Sequence, residues 1–414
     1  MRLPFPPVDR RARAVLLVLA VPVLAPATAG AQSPTPVRPT VPVSAGQPPS
    51  QPRVAPAGDS TRPAPPAPRA DTTPRVARPD SARTDSVRSD SARPGSAATA
   101  VRTAPAAARP GAFGRVAVLA EPAFPVNERS GAAALLHVQV LLDAAGFSPG
   151  MLDARWGDNM RVALFSFRDA AGLDPDVEAV DAAAYERLRT AGRARPPLTT
   201  YVLDASDLRG PFRPVPPDVE GKARAECLCY ESLLERLSER FHATPAIMRA
   251  LNPGVDFATA ARGQALTVPN TWRLAPRARV ARVVVDKAAR GVRGLGADGN
   301  VLFWLPATVG STDMPSPHGA LTVQSVTVGP HYRWDPAVLR DVSRRAPVRM
   351  LPPGPNNLVG SVWVALSRPH VGIHGTPEPQ NVGYAASHGC VRLTNWDALW
   401  FSRLARPGLS VVFE

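Results

Sequence analysis

The chain has 414 residues, with 48 Lys and Arg against 34 Asp and Glu and a formal net charge of +14 at pH 7. Its 49 prolines and 30 glycines exclude a single compact globule, although 44% hydrophobic residues suffice for separate cores. One apolar run, at the start of the chain, excludes a polytopic membrane protein, and three cysteines exclude a disulfide scaffold. The length allows two or three domains.

Residues 1–31 have the pattern of a secretory signal peptide. Three arginines precede an apolar stretch at 14–25, and small residues lead up to a cleavage site after Ala31. A permanent anchor is the alternative, but two prolines interrupt a run shorter than the ~20 apolar residues of a spanning helix. We therefore expect an exported protein, in the periplasm or cell wall, with no stable membrane insertion after cleavage.

Residues 32–112 are predicted to be a disordered linker rich in Pro, Ala, Arg and Ser. They contain 17 prolines and no aromatic residue, so they cannot bury enough apolar surface to offset the entropy of ordering. They also hold 11 Arg against 5 Asp, so much of the positive charge lies outside the folded part. A solvated spacer is favoured over a tail that touches anionic polymers, and nucleic acid is a poor partner for an exported chain.

Residues 113–195 are predicted to be a small helical domain. Apolar residues at i, i+3 and i+7 mark two helices, separated by a turn-rich loop at 146–157. Through residues 139–142, this loop and 165–167, the segment resembles the three-helix peptidoglycan-binding domain. Ligand binding and a purely structural scaffold are both open.

Residues 222–270 are predicted to be a second small unit. Thr244 as cap with Pro245 at the first helical position starts one of two helices, and residues 266–270 alternate like a closing strand. The unit resembles a degenerate LysM module, a βααβ fold that binds chains of N-acetylglucosamine. No clear first strand is visible, and glycan binding and a structural spacer both remain open.

Residues 280–414 are predicted to be mostly β. Short β-branched or aromatic runs alternate with turns rich in Gly, Pro and Asn. One helix interrupts them near the end, where Thr394 and Asp397 have the spacing of a capping box.

The densest group of reactive side chains lies in this last segment: His374-Gly375 and Ser387-His388-Gly389-Cys390-Val391-Arg392. A cysteine acts as a nucleophile in its thiolate form, and His374 can supply the base if the fold brings the two side chains together. The N–H groups around Gly389 and Cys390 are candidates for an oxyanion site, and Arg392 can hold a carboxylate.

Two other interpretations compete with the nucleophile. Histidines 374 and 388 with Cys390 can be metal ligands, but neither a His-Glu-x-x-His helix nor paired Cys-x-x-Cys motifs support this. Cys390 can also be a small buried residue with the histidines as polar caps. We favour the nucleophile.

These residues closely resemble the signature of the YkuD family of L,D-transpeptidases: His-Gly, then Ser-His-Gly-Cys-(Val/Ile)-Arg-Leu, then an Asp in a capping helix, here Asp397. The resemblance covers residues 280–414 and implies a β-sandwich-like catalytic domain with a short helix. The predicted fold is thus mixed, with a mostly β catalytic domain, a small α-helical domain and a small βααβ unit. The implied site residues are the catalytic Cys390 and His374 and the oxyanion or substrate-binding Gly375, Ser387, His388, Gly389 and Arg392.

The resemblance also implies a reaction and its partners. Cys390 attacks the peptide bond before the terminal D-alanine of a peptidoglycan tetrapeptide stem, and an amine resolves the acyl-enzyme. That amine belongs to a neighbouring stem, giving a 3→3 cross-link, or to a protein anchored to the wall. His374, oriented through the Gly375 carbonyl, is base and later acid, and a carbapenem would acylate Cys390. No metal or organic cofactor is required, and glycan strands are a further expected partner.

Two alternative functions remain open. One is an L,D-carboxypeptidase or hydrolase, in which water resolves the same acyl-enzyme. The other is a non-catalytic wall-binding protein that keeps the domain for ligand capture. The combination of Cys390 and His374 favours an enzyme, because a binding protein has no physical need of a nucleophile beside a base.

Two further features carry weaker hypotheses. Five arginines in residues 331–350 either face the carboxylates of the stem or form a solvated charge run, which is favoured: Arg333, Arg340, Arg344, Arg345 and Arg349. Cys227 and Cys229 are either inert thiols or a labile redox pair. Inert thiols are favoured because a disulfide between residues two apart closes a strained ring.

Overall fold

The computed structural model describes residues 114–337 and 343–414, which belong to one compact unit. The predicted signal peptide at 1–31 and the predicted linker at 32–112 lie outside the described residues. Within the described residues, no helix is both long and apolar enough to cross a membrane.

The first module is helical, as expected. Apolar residues three and four apart place one face of each long helix in a common core. Asp181 caps the last helix by accepting a hydrogen bond from the Ala184 N–H, at 2.7 Å. The helices are α1 (Arg115–Leu119), α2 (Ala132–Ala144), α3 (Asp158–Ala170) and α4 (Ala182–Ala191).

The second module has the predicted βααβ order but begins earlier than residue 222. Its first strand pairs antiparallel with the last, with Leu198 opposite Pro269. Residues 203–232, which we call the insertion, separate the first strand from the two helices. The first strand lies outside the predicted bounds because its partner strand is more than sixty residues away in sequence. The elements are β1 (Leu198–Val202), α5 (Val219–Arg224) within the insertion, α6 (Leu233–Arg240), α7 (Pro245–Leu251) and β2 (Ala265–Pro269).

The insertion carries a disulfide between Cys227 and Cys229. The favoured expectation of two inert thiols was therefore wrong. The residue between them, Leu228, is fully buried and packs against Trp334 and Leu351 of the mostly β domain. Sequence spacing alone does not reveal this burial, which depends on contacts with another module.

The third module is the predicted mostly β domain. Eight of its strands form one sheet in the order β11-β10-β9-β6-β12-β3-β4-β5, and β7 and β8 pair separately. The strands are β3 (Arg282–Asp286), β4 (Gly291–Leu295), β5 (Val301–Pro306), β6 (Gly319–Val328), β7 (Tyr332–Trp334), β8 (Arg349–Leu351), β9 (Val362–Leu366), β10 (Gly372–His374), β11 (Val391–Arg392) and β12 (Ser410–Phe413). A 3₁₀ turn spans Pro379–Asn381, and helix α8 spans Asn395–Ser402.

Strand β6 connects the two halves of the sheet. Its first residues pair with β12, and its later residues pair with β9 after a register shift between Val323 and Ser325. Apolar side chains from both halves meet with Phe401 of α8 in one core. The sandwich-like packing expected from the sequence is therefore made by one continuous sheet.

The helical module covers the free edge of this sheet at β5. The Ser148 N–H donates to the Trp304 carbonyl at 2.8 Å, and the Trp304 N–H donates to the Gly146 carbonyl at 3.1 Å. The loop at 146–157 thus supplies main-chain partners to an edge strand, which otherwise exposes unpaired groups. Ligand binding by the helical and βααβ modules stays a prediction.

The three modules meet at Arg273, in the segment between β2 and β3. Its side chain is 2% exposed, its Nη1 donates to Asp397 Oδ1 at 2.7 Å, and its Nε donates to the Asp143 carbonyl at 3.0 Å. Its Nη2 also pairs with the Asp143 carboxylate, which His242 contacts at 3.0 Å. Burial opposes ionisation of Asp143, but the charges of Arg273 and His242 outweigh it and lower the pKa of this carboxyl.

Candidate active site

His374 ends strand β10, and Cys390 lies directly before the neighbouring strand β11. Strands β10 and β11 run parallel, with Ile373 opposite Val391 and His374 opposite Arg392. Cys390 immediately precedes β11, so alternation of side chains places it on the same side as Arg392 and beside His374. All three line one cavity of about 700 Å³.

Four of the seven predicted site residues line this cavity: His374, His388, Cys390 and Arg392. Other parts of the domain complete its walls. Strand β7 contributes a run of three residues, β9 contributes one aromatic ring, and the segment after β10 contributes a carboxylate. Residues that the sequence analysis missed are Tyr332, Trp334, Trp363, His370 and Glu378.

His374 is held with one ring nitrogen ready to accept a proton. Its Nδ1 lies 2.7 Å from the Gly375 carbonyl, and since a carbonyl only accepts, Nδ1 carries the proton and Nε2 is the basic atom. The indole of Trp363 stacks on the imidazole, with ring centroids 5.3 Å apart. Burial lowers the pKa of His374 to about 4, and the Arg392 charge adds to this shift. The ring is therefore neutral at pH 7.

Cys390 is a neutral thiol in the same cavity. Its Sγ donates to the His370 carbonyl, with 3.4 Å between sulfur and oxygen. Burial raises the pKa of this thiol above its ordinary value. At pH 7 the two side chains are therefore a neutral thiol and a neutral imidazole.

The loop at 387–390 is fixed by its own hydrogen bonds. The Ser387 hydroxyl donates to the Cys390 carbonyl at 2.5 Å and accepts from the Gly389 N–H at 3.2 Å. The Ser316 hydroxyl donates to the Gly389 carbonyl at 2.9 Å. Gly389 has φ +108°, a conformation that L side chains rarely adopt.

The other three predicted site residues make bonds that hold the loop and the histidine in place. Ser387, Gly389 and Gly375 do not line the cavity. Ser387 and Gly389 hold the loop that carries Cys390, and Gly375 orients His374 through its carbonyl, as the resemblance implies. The Gly389 N–H is already bonded, whereas the Cys390 N–H has no acceptor within the described residues. The Cys390 N–H is therefore the better candidate for the oxyanion donor.

Asp397 does not line the cavity, and its side chain makes contacts between modules. It is fully buried and accepts hydrogen bonds from Arg273 and, at 3.0 Å, from the Ser148 hydroxyl. The predicted helix start is confirmed, since Thr394 Oγ1 accepts from the Asp397 N–H at 3.2 Å. The aspartate of the signature thus joins α8 to the helical module.

The five arginines of residues 331–350 do not act as one group. Arg333 lines the cavity and pairs with a neighbouring aspartate. Arg349 pairs with a glutamate of α5 at 2.7 Å. Arg344 and Arg345 are exposed and do not line the cavity, and Arg340 lies outside the described residues. Only Arg333 among the described four is placed to meet a ligand in the cavity.

No three side chains of His, Cys, Asp or Glu are grouped to hold a metal ion in residues 114–337 and 343–414. The expectation that no cofactor is required stays a prediction.

Comparison with known proteins gives matches to one family. Residues 281–413 match the YkuD model, described as the L,D-transpeptidase catalytic domain. The chain is 27% identical over 178 residues to "Putative L,D-transpeptidase YkuD" of Bacillus licheniformis, covering 43% of this chain and 91% of that protein. It is 28% identical over 185 residues to "Probable L,D-transpeptidase YbiS" of Escherichia coli K12, covering 44% of this chain and 59% of that protein.

Solved structures give similar names at low overall similarity. The crystal structure of L,D-transpeptidase 3 from Mycobacterium tuberculosis with a faropenem-derived adduct is 18% identical, with a TM-score of 0.28, and the match covers 37% of this chain and 75% of that chain. The L,D-transpeptidase from Xylanimonas cellulosilytica is 16% identical, with a TM-score of 0.31, and the match covers 71% of this chain and 99% of that chain.

Proposed function

We propose that this protein transfers peptidoglycan stem peptides through a cysteine acyl-enzyme. Residues 281–413 match the L,D-transpeptidase catalytic domain of the YkuD family, and this match supports the proposal. The observation that carries the proposal is the placement of Cys390 beside His374 and Arg392 in one cavity. We place this activity in the periplasm or cell wall, on the basis of the signal pattern at residues 1–31.

The acylation step follows from the protonation states of the pair. His374 Nε2 takes the proton of the Cys390 thiol as the sulfur attacks the carbonyl carbon before the terminal D-alanine. A C–S bond forms, and the Cys390 N–H stabilises the charge on the oxygen. The C–N bond then breaks, and the imidazolium returns its proton to the leaving amine of D-alanine.

The acyl-enzyme itself gives the most direct test of this step. After brief mixing with a tetrapeptide stem, the intact protein should gain the mass of the stem without its last alanine. The Cys390→Ala variant should gain none. Adduct in that variant, or none in the wild-type protein at any mixing time, would remove Cys390 from the proposed role.

The second step requires an acceptor, and the cavity favours an amine over water. Glu378 is the sole carboxylate among the described residues that line it, four positions after His374. Its Oε2 accepts from Asn381 Nδ2 at 3.2 Å, and the residue is exposed. The Glu378 carboxylate attracts the positively charged ammonium form of an acceptor amine. The amine is thereby brought near His374, the base that removes a proton from it.

Glu378→Gln should therefore change the partition of the acyl-enzyme. We expect the ratio of transfer to hydrolysis to fall by about fivefold, as for loss of one partly screened charge interaction of roughly 1 kcal/mol. Acylation should be unchanged. The ratio is read from dimer and tripeptide products, with Glu128→Gln, an exposed glutamate of the helical module, as the matched control. An unchanged ratio would rule out Glu378 as the group that favours amines.

A further inference from the structure

We infer that Leu228, held between Cys227 and Cys229, is a positioning residue that fixes one wall of the catalytic cavity. The wall concerned is the pair of strands β7 and β8, which we call the cavity hairpin. The inference rests on the proposed function for its effect on turnover. It assigns to the insertion a role that neither a LysM-like fold nor a transpeptidase domain supplies by itself.

The main chain of the insertion is bonded to the loop that follows the cavity hairpin. The Leu228 N–H donates to the Pro353 carbonyl at 3.0 Å, and the Leu228 carbonyl accepts from the Asn356 N–H at 2.9 Å. Asn356 Nδ2 also donates to the Cys229 carbonyl at 3.0 Å. These bonds run in both directions, so the segment is held in one register against the catalytic domain.

The approach of the two chains is closest at Gly354. Its φ is +148°, and a Cβ at this position would lie 2.1 Å from the Leu228 carbonyl oxygen. Any larger residue would have to push the two segments apart. The catalytic domain therefore has a backbone position shaped to receive the disulfide-bonded turn.

The Leu228 side chain connects this attachment to the cavity. It is 0% exposed and packs in a small cluster with Trp334 of β7 and Leu351 of β8. Trp334 in turn lines the cavity that contains Cys390. This cluster is separate from the large core of the catalytic domain, so the cavity hairpin lacks that core as a support.

An ion pair reinforces the same attachment. Arg349 of β8 donates through Nε to Glu220 Oε1 of α5 at 2.7 Å. The insertion thus contacts β8 through α5 and both strands through Leu228. The disulfide restricts the backbone on each side of Leu228, which lowers the number of conformations in which the side chain leaves its site.

The expected consequence is an effect on substrate binding that leaves the chemistry unchanged. His374 and the loop at 387–390 are held by bonds that do not involve the insertion. A change at Leu228 should therefore raise the KM for the stem peptide by about tenfold while kcat stays within about twofold. Alkylation of Cys390 by iodoacetamide, which needs no stem-binding wall, should keep its wild-type rate.

The test uses the full chain and three variants. Leu228→Ala removes the side chain, Leu228→Met restores its volume, and the double variant Cys227→Ser with Cys229→Ser keeps Leu228 without its restraint. Leu251→Ala is the matched control, because Leu251 is a buried leucine of the same module that packs in a different core. KM should rise in the first and third variants, return toward wild type in the second, and stay unchanged in the control.

Hydrogen exchange separates this inference from the proposed function. Main-chain amides of β7 and β8 should exchange faster in Leu228→Ala and in the double variant, whereas those of β10 should not. If the wild-type protein proves inactive toward stem peptides but exchange changes in this way, the proposed function fails and the positioning role stands. Unchanged KM and unchanged exchange in Leu228→Ala, or equal effects in Leu251→Ala, would overturn the inference.

Discussion

Replacing His374 by Gln should lower kcat/KM by ~10³-fold at neutral pH. Burial raises the pKa of the Cys390 thiol, so little thiolate exists without a base. A glutamine amide can still donate to the Gly375 carbonyl, but it cannot accept the thiol proton. The measurement is the initial rate of stem turnover, with His318→Gln as control because that histidine is exposed and its ring contacts Lys287.

The pH dependence of kcat/KM is a second test of His374 as the base. Because burial lowers the pKa of His374 to about 4, the wild-type kcat/KM should stay constant from pH 7 down to about pH 5 and fall below about pH 4. In His374→Gln, kcat/KM should instead rise about tenfold per pH unit as solvent removes the thiol proton. A loss below about tenfold in the variant, or a wild-type midpoint near the ordinary histidine pKa of about 6.5, would contradict the proposed base.

Replacing Arg273 by Ala should lower the free energy of unfolding by about 3–5 kcal/mol. The side chains of Asp143 and Asp397 have no solvent exposure, and both bind the guanidinium. Without Arg273, each carboxylate either remains charged and unpaired in the protein interior or takes up a proton. Both outcomes cost stability that the ion pairs and hydrogen bonds provide in the wild-type protein.

Chemical denaturation of the full chain measures this loss. Arg161→Ala is the control, since Arg161 pairs with Glu178 at 2.7 Å on the surface and should cost at most about 1 kcal/mol. Adding Asp143→Asn and Asp397→Asn to the Arg273 variant should recover part of the stability, because the buried charges are then gone. If the free energy of unfolding of Arg273→Ala fell by less than about 1 kcal/mol, the ion pairs of Arg273 with Asp143 and Asp397 would not hold the modules together.

Local patterns predicted much of the catalytic domain. The strands are short β-branched or aromatic runs between turns, Thr394 caps its helix, and the His-Gly and Ser-His-Gly-Cys elements lie close to each other in the chain. Their meeting across β10 and β11 was an expectation only, because sequence spacing does not determine which strands pair. The structure supplies that pairing, and with it the common cavity.

Long-range contacts account for what the sequence analysis missed. Arg273 lies in a connecting segment without a motif, and its partners Asp143 and Asp397 are 130 and 124 residues away. Strand β1 pairs with β2, which lies beyond the insertion in the sequence. Leu228 packs against residues of another module. Nothing in the local sequence distinguishes Trp363 and Tyr332 from other strand residues. They line the cavity because of the way the strands are arranged in the fold.

In the proposed function, Cys390 transfers stem peptides to an amine. The most direct measurement incubates the mature protein with purified disaccharide-tetrapeptides, beside a Cys390→Ala control, and resolves the products by liquid chromatography and mass spectrometry. We predict Cys390-dependent dimers that have lost one alanine. Tripeptide monomers alone would indicate a hydrolase, and unchanged tetrapeptides with the Cys390 thiol shown to be reduced would contradict transpeptidation of these stems.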